Sequence, residues 1–241
     1  MNLFTVILHY GAVELTMRLH RQLLASDPGE RDRILVFDNS AAQPYHQSWI
    51  RSDRNLYWAG AFESAVETLA ARGATHVWFL NNDLEFMTRP PVIGRVRERL
   101  ARAERLLGPV GVYSPAVTSN PYHPQMVELR GGQFRQTRYV DGIAPLVSLE
   151  FWRRAGGLDH EGNPYGYGVD VWFSSRTEEF GFSCVVDHQV VIRHRYHSTA
   201  REVAGFLGKA AAAENEYLTQ RLGNDYRSVM DRMARDFREL G

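Results

Sequence analysis

Short apolar runs alternate with segments of helical periodicity over the first half of this chain, and that alternation constrains the fold more than any other feature. Leu3 to His9 is rich in β-forming residues, and Glu14 to Leu24 then places leucines at helical spacing. Ile34 to Phe37 and His76 to Leu80 are further buried-type strands, with a helix predicted over Gly60 to Ala71 between them. The pattern predicts an α/β fold with a mostly parallel central sheet flanked by helices.

A polar or aromatic side chain follows each of three predicted strands. Tyr10, Asp38 and Asp83 fall just past the strand ends. In parallel sheets, ligands bind in the crevice beyond the carboxyl ends of the strands. We therefore expect these three side chains to converge on one crevice.

The second half of the chain is less regular. Thr118 to Tyr139 carries prolines and glycines without periodicity, and the sequence leaves open whether it forms a hairpin or a lid. Val169 to Phe180 is predicted as a helix and Ser183 to Arg193 as a strand. From Val203 onward the composition favours two helices broken near Gly223. These helices are expected to pack on the rest of the chain or on a second copy, in a homodimer.

Charge and cysteine content exclude several classes of protein. Lys+Arg and Asp+Glu both number 28, so the chain lacks the surplus of basic charge that nucleic-acid binding requires. Cys184 is the single cysteine, which excludes an internal disulfide and favours a reducing compartment. The start of the chain lacks the basic flank and cleavage site of a signal peptide, and no apolar run approaches the roughly 20 residues that span a bilayer. We expect a cytoplasmic protein, which can still associate peripherally with a membrane.

Two polar triplets suggest chemistry but also suit ordinary turns. Asn81-Asn82-Asp83 offers oxygen ligands at a strand end, which suit Mg²⁺ or Mn²⁺ shared with a diphosphate. In Asp38-Asn39-Ser40, the carboxylate could accept from the N–H of a pyrimidine base while Tyr10 stacks on its ring. Asn and Asp also dominate turns and caps for their local hydrogen bonds, so each triplet alone leaves both interpretations open.

The order of the motifs is more informative than any one of them. The chain contains Val6-Ile7-Leu8-His9-Tyr10, Val36-Phe37-Asp38-Asn39-Ser40, Arg54-Asn55-Leu56-Tyr57-Trp58-Ala59-Gly60-Ala61, Leu80-Asn81-Asn82-Asp83, and the downstream run Gly156-Gly157-Leu158-Asp159, Tyr167-Gly168-Val169-Asp170-Val171, Arg176 and Gly181. In this order the chain resembles the large inverting glycosyltransferase family 2, most of all its rhamnosyltransferase-type members. The resemblance extends from Leu3 to about His197.

The resemblance implies a GT-A fold and a division of the chain. Residues 1–200 would form the catalytic domain, with a nucleotide-sugar-binding half over 1–117 and an acceptor-binding half over 118–200. Residues 201–241 would form a C-terminal helical extension.

The resemblance also implies residues that bind the donor. Asp38 would bind the base with Tyr10 beside it, while Arg54, Asn55 and the loop to Gly60 would line the ribose and the sugar. Two further donor-binding positions belong to the metal triplet, namely Asn81 and Asn82.

A metal site and a general base complete what the resemblance implies. Asp83 ends the triplet that corresponds to the DXD-type metal motif, and Asp170 corresponds to the proposed base. A histidine after the last strand often approaches the metal or phosphate in this family; His194 is preferred here because it is nearest the strand end, with His197 as the alternative. Asp170 also opens a predicted helix, whose dipole is expected to keep it ionised.

Several positions depart from the family pattern. Asn81 stands where Asp is frequent, so metal affinity is expected to be weak without the donor's phosphates. Val169 replaces a common Glu, and Trp172 replaces a common acidic residue, which predicts an unusually apolar acceptor pocket. Glu63 or Ser64 stands where Asn is frequent.

The function predicted from these observations is metal-dependent, inverting transfer of a hexosyl or deoxyhexosyl group. The donor would be a nucleoside diphosphate-sugar, with UDP or dTDP favoured over GDP, and the acceptor a carbohydrate, a lipid-linked or a small molecule. The alternatives are a binding module that kept the fold and lost the reaction, and a sugar-phosphate nucleotidyltransferase. The latter needs a glycine-rich loop with Arg after the first strand, which Tyr10-Gly11-Ala12-Val13-Glu14 does not provide.

Overall fold

A computed structural model describes residues 1–195 and 205–241, which form one mixed sheet with helices on its faces. The strands are β1 (Leu3–His9), β2 (Ile34–Asp38), β3 (Ile50–Arg51), β4 (His76–Asn81), β5 (Leu84–Phe86), β6 (Val110–Val117), β7 (Phe134–Thr137), β8 (Leu146–Ser148), β9 (Ser183–His194) and β10 (Phe237–Leu240). Their order across the sheet is β10-β7-β9-β6-β8-β4-β1-β2-β3, and β5 pairs with β9 outside this path.

The first half of the sheet is parallel, as predicted, and the second half is mixed. Strand β1 pairs in parallel with β2 and β4, and β2 with β3. Beyond β4 only the β6–β9 pair is parallel, because β8 runs antiparallel between β4 and β6, and β7 runs antiparallel to β9 and β10. The reversal begins at β8, which follows the stretch from Thr118 to Tyr139 whose sequence shows no periodicity.

Helices cover the sheet and connect its parallel strands. The α-helices are α1 (Val13–Ser26), α2 (Tyr57–Ala71), α3 (Val92–Leu107), α4 (Leu149–Ala155), α5 (Val169–Ser175), α6 (Phe206–Leu222) and α7 (Tyr226–Arg235). Helix α5 is shorter than predicted, since a 3₁₀ turn replaces its end at Glu178–Phe180.

The core lies between the central strands and these helices. Strand β1 is buried along almost all its length, and β6 along all of it. Trp78 on β4 and Tyr113 on β6 are among the largest fully buried side chains. Burial on both faces explains why these strands appear in the sequence as continuous apolar runs.

The irregular stretch from Thr118 to Tyr139 is only partly a loop. It contains a 3₁₀ turn at Pro124–Met126 and strand β7, which pairs with β9 and β10. Its end therefore belongs to the sheet, and a lid role for the remainder stays a prediction.

The C-terminal segment has the two predicted helices, broken at Gly223 with a positive φ of 91°. The following strand β10 was not predicted from the helical composition of this segment. The division of the chain into domains and the homodimer both stay predictions. None of the helices in the described ranges combines the length and apolar character that crossing a bilayer requires.

Helix α3 is capped from a distant part of the chain. Pro91 precedes the helix and has no capping side chain, so the first N–H groups need another acceptor. The Asp27 carboxylate accepts from the N–H groups of Val92 at 2.9 Å, Ile93 at 3.0 Å and Gly94 at 3.0 Å. Asp27 is buried, so this contact ties the end of α1 to the start of α3.

We expect Asp27→Ala to lower the free energy of unfolding by about 2 kcal/mol, because it removes a cap and leaves buried N–H groups unpaired. Urea denaturation measures the change. The matched control is Asp32→Ala, which removes an exposed carboxylate and should cost less than about 0.5 kcal/mol. Equal losses in the two variants would show that Asp27 does not cap α3.

Candidate functional site

A cleft of about 370 Å³ opens at the carboxyl ends of β1, β2 and β4. Its position agrees with the rule for ligand binding in α/β sheets. The cleft brings together most of the side chains that the sequence predicted for a site. These are Tyr10, Asn55, Asn81, Asn82, Asp83, Asp170 and His194. The predicted site residues that do not line it are Asp38, Arg54 and Gly60.

Asp38 lies beneath the cleft and is fully buried. Its carboxylate accepts hydrogen bonds from the backbone N–H groups of Ala41 at 3.0 Å and Tyr45 at 3.1 Å, and it pairs with Arg51 at 2.6 Å. These contacts match the capping alternative, in which Asp38 holds the loop after β2. A contact of Asp38 with a base stays a prediction.

Two other predicted donor contacts also lie elsewhere. Arg54 is exposed outside the cleft. Gly60 lies within α2, where an added Cβ would meet the side chain of Leu56 at 3.2 Å. Local packing in the helix accounts for the glycine, and Gly60 is not among the residues that line the cleft.

Asn39, which sequence reasoning passed over, holds the entry to α2. Its side-chain N–H donates to Asn55 Oδ1 at 2.9 Å and to the carbonyl of Tyr57 at 3.1 Å, and its Oδ1 accepts from the N–H of Leu56 at 2.8 Å. Tyr57 has a positive φ of 55°, an uncommon conformation for a bulky residue. Such strain persists only where surrounding contacts over-determine it. The Asn39 and Asn55 side chains provide those contacts and direct the Tyr57 ring into the cleft.

Asp83 and His194 form the polar corner of the cleft. Strand β5 starts at Leu84 and pairs with the end of β9, so Leu84 lies opposite His194. His194 Nε2 lies 3.0 Å from Asp83 Oδ1. The preceding turn is held by Asn82, whose side chain donates to the Tyr10 carbonyl at 3.1 Å and to Thr16 Oγ1 at 3.0 Å. Asn82 thus supports the corner, and His197 lies outside the described residues.

The donor set of this corner fits a divalent ion that is shared with a ligand. A carboxylate and an imidazole stand side by side, and the Asn81 amide lies nearby on the cleft wall. In residues 1–195 and 205–241 no group of three His, Cys, Asp or Glu side chains is placed to hold a metal ion. The remaining ligands would have to come from a diphosphate or from water. The imidazole suits Mn²⁺ better than Mg²⁺, which prefers oxygen ligands.

Asp170 lies in the first turn of α5 and is held by two backbone donors. Its Oδ2 accepts from the N–H of Gly142 at 2.5 Å, and its Oδ1 from the N–H of Val171 at 2.9 Å. A Cβ at position 142 would lie 3.2 Å from Asp170 Oδ2 and 3.0 Å from the Trp58 ring, so only glycine fits there comfortably. The carboxylate is therefore fixed in its orientation.

Burial raises the pKa of Asp170 to about 7, and the nearby Asp141 carboxylate adds to the increase. The two backbone N–H donors oppose the shift. The helix start was expected to keep Asp170 ionised, but desolvation outweighs that effect here. Asp170 consequently titrates near neutral pH.

Asp141 is a further carboxylate of the site, beside Asp83 and Asp170, and the sequence analysis did not identify it. It is buried, and the side-chain N–H of Asn120 donates to its Oδ2 at 2.6 Å. Burial raises the pKa of Asp141, an effect that His123 and His194 oppose. The only sequence signal was an Asp-Gly pair within an apolar stretch, which ordinarily indicates a turn.

The aromatic residues divide between the cleft and the core. Tyr57 and Trp58 line the cleft. Phe62 is buried and stacks on Phe79 with ring centroids 4.4 Å apart. Trp172, expected to make the acceptor pocket apolar, does not line the cleft and instead lies under Arg176.

Carboxylates dominate the charge of the cleft. Asp83, Asp141, Asp170 and Glu214 line it, whereas no Lys or Arg does so within the described ranges. An anionic ligand would be repelled by such a surface at close range. The cleft therefore favours cations, or anions that arrive together with a metal ion.

Comparisons with known proteins bear on the fold. No protein-family model matches the chain. The uncharacterized proteins Rv1525 of Mycobacterium tuberculosis and Mb1552 of Mycobacterium bovis are 26% identical to it over 148 residues. The match covers 61% of this chain and 56% of each relative, so it spans about half the length of these relatives.

Solved structures are similar over most of the chain. The mannosyltransferase PcManGT from Pyrobaculum calidifontis in complex with GDP-Man and Mn²⁺ matches with a TM-score of 0.54 and 13% identity, over 95% of this chain and 73% of that one. GalNAc-T7 with UDP, GalNAc and Mn²⁺ matches with a TM-score of 0.53 and 12% identity, over 81% of this chain and 44% of that one. A mycobacterial protein matches with a TM-score of 0.56 and 13% identity, over 88% of this chain and 73% of that one. The chain has a GT-A fold. At these identities the likeness shows the fold alone, and membership of family 2 stays a prediction.

We expect protein stability to report the titration of Asp170. Its carboxyl titrates near 3.8 when unperturbed and about 7 in the folded protein, so between these values the folded state holds a proton that the unfolded chain has released. Below pH 3.8 this group does not affect the free energy of unfolding. That free energy falls as pH rises from 3.8 to about 7. The Asp170→Asn variant has no such titration and does not lose stability in this way. The difference between its Tm and that of the native protein should therefore increase by a few degrees from about pH 4 to about pH 8.

Thermal melts across that pH range provide the measurement. Asp32→Asn, which changes an exposed carboxylate, is the control and should give a difference that does not vary with pH. If the Tm difference between Asp170→Asn and the native protein also does not vary with pH, the pKa of Asp170 is not raised.

Proposed function

We propose that the protein is a metal-dependent, inverting glycosyltransferase that moves a sugar from a nucleoside diphosphate donor to an acceptor hydroxyl. The observation that carries the proposal is that Asp170 lines the same cleft as the Asp83–His194 corner, in a GT-A fold. Asp170 is suited to take a proton, and the Asp83–His194 corner is suited to hold a metal-bound diphosphate. The assignment to family 2 and to its rhamnosyltransferase-type members belongs to this proposal.

The donor diphosphate would lie at the Asp83–His194 corner. Two structural neighbours carry nucleotide or nucleotide sugar together with Mn²⁺, and the acidic cleft gives a physical reason for the same requirement here. Bound between Asp83, His194 and the phosphates, a divalent ion would supply the positive charge that stabilises the departing diphosphate. The Tyr10 ring lines the cleft and is the proposed stacking surface for the base.

Asp170 would act as the general base. It takes the proton from the acceptor hydroxyl as that oxygen forms a bond to the anomeric carbon, while the bond from this carbon to the diphosphate oxygen breaks. The proton ends on Asp170 and the electron pair of the broken bond on the diphosphate. A pKa of about 7 suits this role, because a base works best when its pKa is near the working pH.

We expect Asp83→Ala to abolish the metal-dependent part of nucleotide binding. In the native protein, UDP, dTDP or GDP together with Mn²⁺ should raise the Tm by several degrees, since the ligand binds only the folded state. In the variant the nucleotide should give the same small shift with Mn²⁺ as with EDTA. Differential scanning fluorimetry with each nucleotide measures this and identifies the base.

Glu85→Ala is the matched control, because it removes a carboxylate two residues away that makes only a surface ion pair with Arg193 at 3.5 Å. Its nucleotide response should equal that of the native protein. If the Asp83→Ala variant keeps a full Mn²⁺-dependent shift, Asp83 does not hold the metal.

We expect Asp170→Asn to lower turnover by about 10²–10⁴-fold, the usual contribution of a general base. Donor affinity should be unchanged, since the donor diphosphate lies at the other corner. In the native enzyme kcat should fall as pH drops through about 7, because the base is then protonated. Release of nucleoside diphosphate from sugar donors is the assay.

Asp53→Asn, an exposed carboxylate, is the control and should retain native turnover and pH profile. Near-native turnover in Asp170→Asn would remove Asp170 from the base role. If no donor is turned over by the native protein although nucleotides bind, the fold serves as a binding module.

A further inference from the structure

One wall of the cleft comes from helix α6, which sequence analysis had assigned only to packing. Phe206 at the start of this helix and Glu214 in its middle both line the cleft. The segment therefore contributes directly to the site that contains Asp170.

A glycine permits this approach of α6. Gly168 has a positive φ of 79°, and a Cβ there would lie 3.0 Å from the Leu218 side chain and 3.3 Å from the Glu214 side chain. Helix α6 thus packs directly on the turn that precedes Asp170. The absence of a side chain at position 168 lets Glu214 reach the cleft.

The Glu214 carboxylate faces the cleft. In the described part of the chain it makes no hydrogen bond and no ion pair. Burial raises the pKa of Glu214, and the Arg227 charge opposes the shift. A half-buried carboxylate that accepts no hydrogen bond has lost solvation and is suited to accept one from a ligand.

An aromatic surface lines the same cleft as this carboxylate. The Tyr57 ring contacts Tyr165 at a centroid distance of 5.1 Å and is nearly parallel to Phe206 at 6.2 Å and 17°. Tyr165 also contacts Phe206, at 5.6 Å. Since Asn39 and Asn55 fix the backbone of Tyr57, this surface exists before any ligand binds. Rings of this kind bind apolar faces, and a carboxylate in the same cleft binds hydroxyl or amine donors.

We propose that helix α6 completes the acceptor subsite and that the acceptor is a neutral saccharide. A hydroxyl of the sugar donates to Glu214, and the C–H face of the ring packs on Tyr57 and Phe206. This inference rests on the proposed function, because it assigns to the acceptor the part of the cleft on the Glu214 side of Asp170. A saccharide fits both features at once, whereas an aromatic aglycone without hydroxyls would leave Glu214 without a partner.

The test is binding of defined small molecules to the full chain in the presence of Mg²⁺ and the nucleoside diphosphate that gives the largest thermal shift. Saturation-transfer NMR measures affinity for methyl glycosides of neutral hexoses, for methyl glucosaminide and for p-nitrophenol. Neutral glycosides should bind, and Glu214→Gln should weaken them about tenfold, which is the usual value of a hydrogen bond to a charged group. The Phe206→Ala variant should weaken the same ligands independently of Glu214.

Glu216→Gln is the matched control, since Glu216 is exposed on the same helix and, in the described ranges, its carboxylate accepts a hydrogen bond from Gln220 alone. It should bind glycosides as the native protein does. The nucleotide-induced thermal shift of Glu214→Gln should also be retained, which separates acceptor binding from donor binding. If nucleotides bind but neutral glycosides do not, or if only the amine or the phenol binds, the acceptor proposal is wrong while the transferase proposal stands. Equal affinities in Glu214→Gln and Glu216→Gln would likewise overturn it.

Discussion

The antiparallel pairing of β5 with β9 is the contact on which the site depends. It sets Asp83, at the end of the parallel half of the sheet, beside His194, at the end of a strand from the mixed half. Neither half contains the pair by itself. A shift of this register by one residue would turn His194 to the other face of the sheet, because side chains alternate along a strand. The Asp83–His194 corner is thus a property of the joined sheet, and the Asn82 contacts to Tyr10 and to Thr16 of α1 keep its turn in place.

The charge of the cleft follows from the same architecture. The strand ends and the α5 start bring carboxylates together, and no Arg or Lys of the described ranges compensates them there. Buried like charges raise one another's pKa, as Asp141 does for Asp170. An acidic cleft of this kind is a poor receptor for a bare diphosphate and a good one for a diphosphate with its metal ion. The proposed requirement for a metal is therefore supported by electrostatics as well as by the side chains of the Asp83–His194 corner.

Sequence reasoning placed residues correctly where position follows from a local pattern. The bounds of β1 and β4 were predicted closely because buried parallel strands are continuous apolar runs, and Asp83 and Asp170 lie at element ends and in the cleft, as expected. Their roles as metal ligand and base belong to the proposed function. For Asp38 the sequence left two interpretations open, since an Asp at a strand end looks the same whether it binds a ligand or caps a loop, and the structure shows the capping contacts. Asp141 and Glu214 enter the site through packing between distant segments, which periodicity does not reveal.

Burial links the stability of the protein to its chemistry. Gly142 brings a backbone N–H onto Asp170, and Gly168 lets α6 pack against the same turn. Together these contacts withdraw Asp170 from water, which raises its pKa to about 7 at a cost in stability at neutral pH. An exposed aspartate would be ionised but a weak base, and a fully enclosed one could not reach a substrate. Helix α6 therefore does two things at once: it packs on the turn that precedes Asp170, and it carries Glu214 and the Phe206 ring to the part of the cleft proposed for the acceptor.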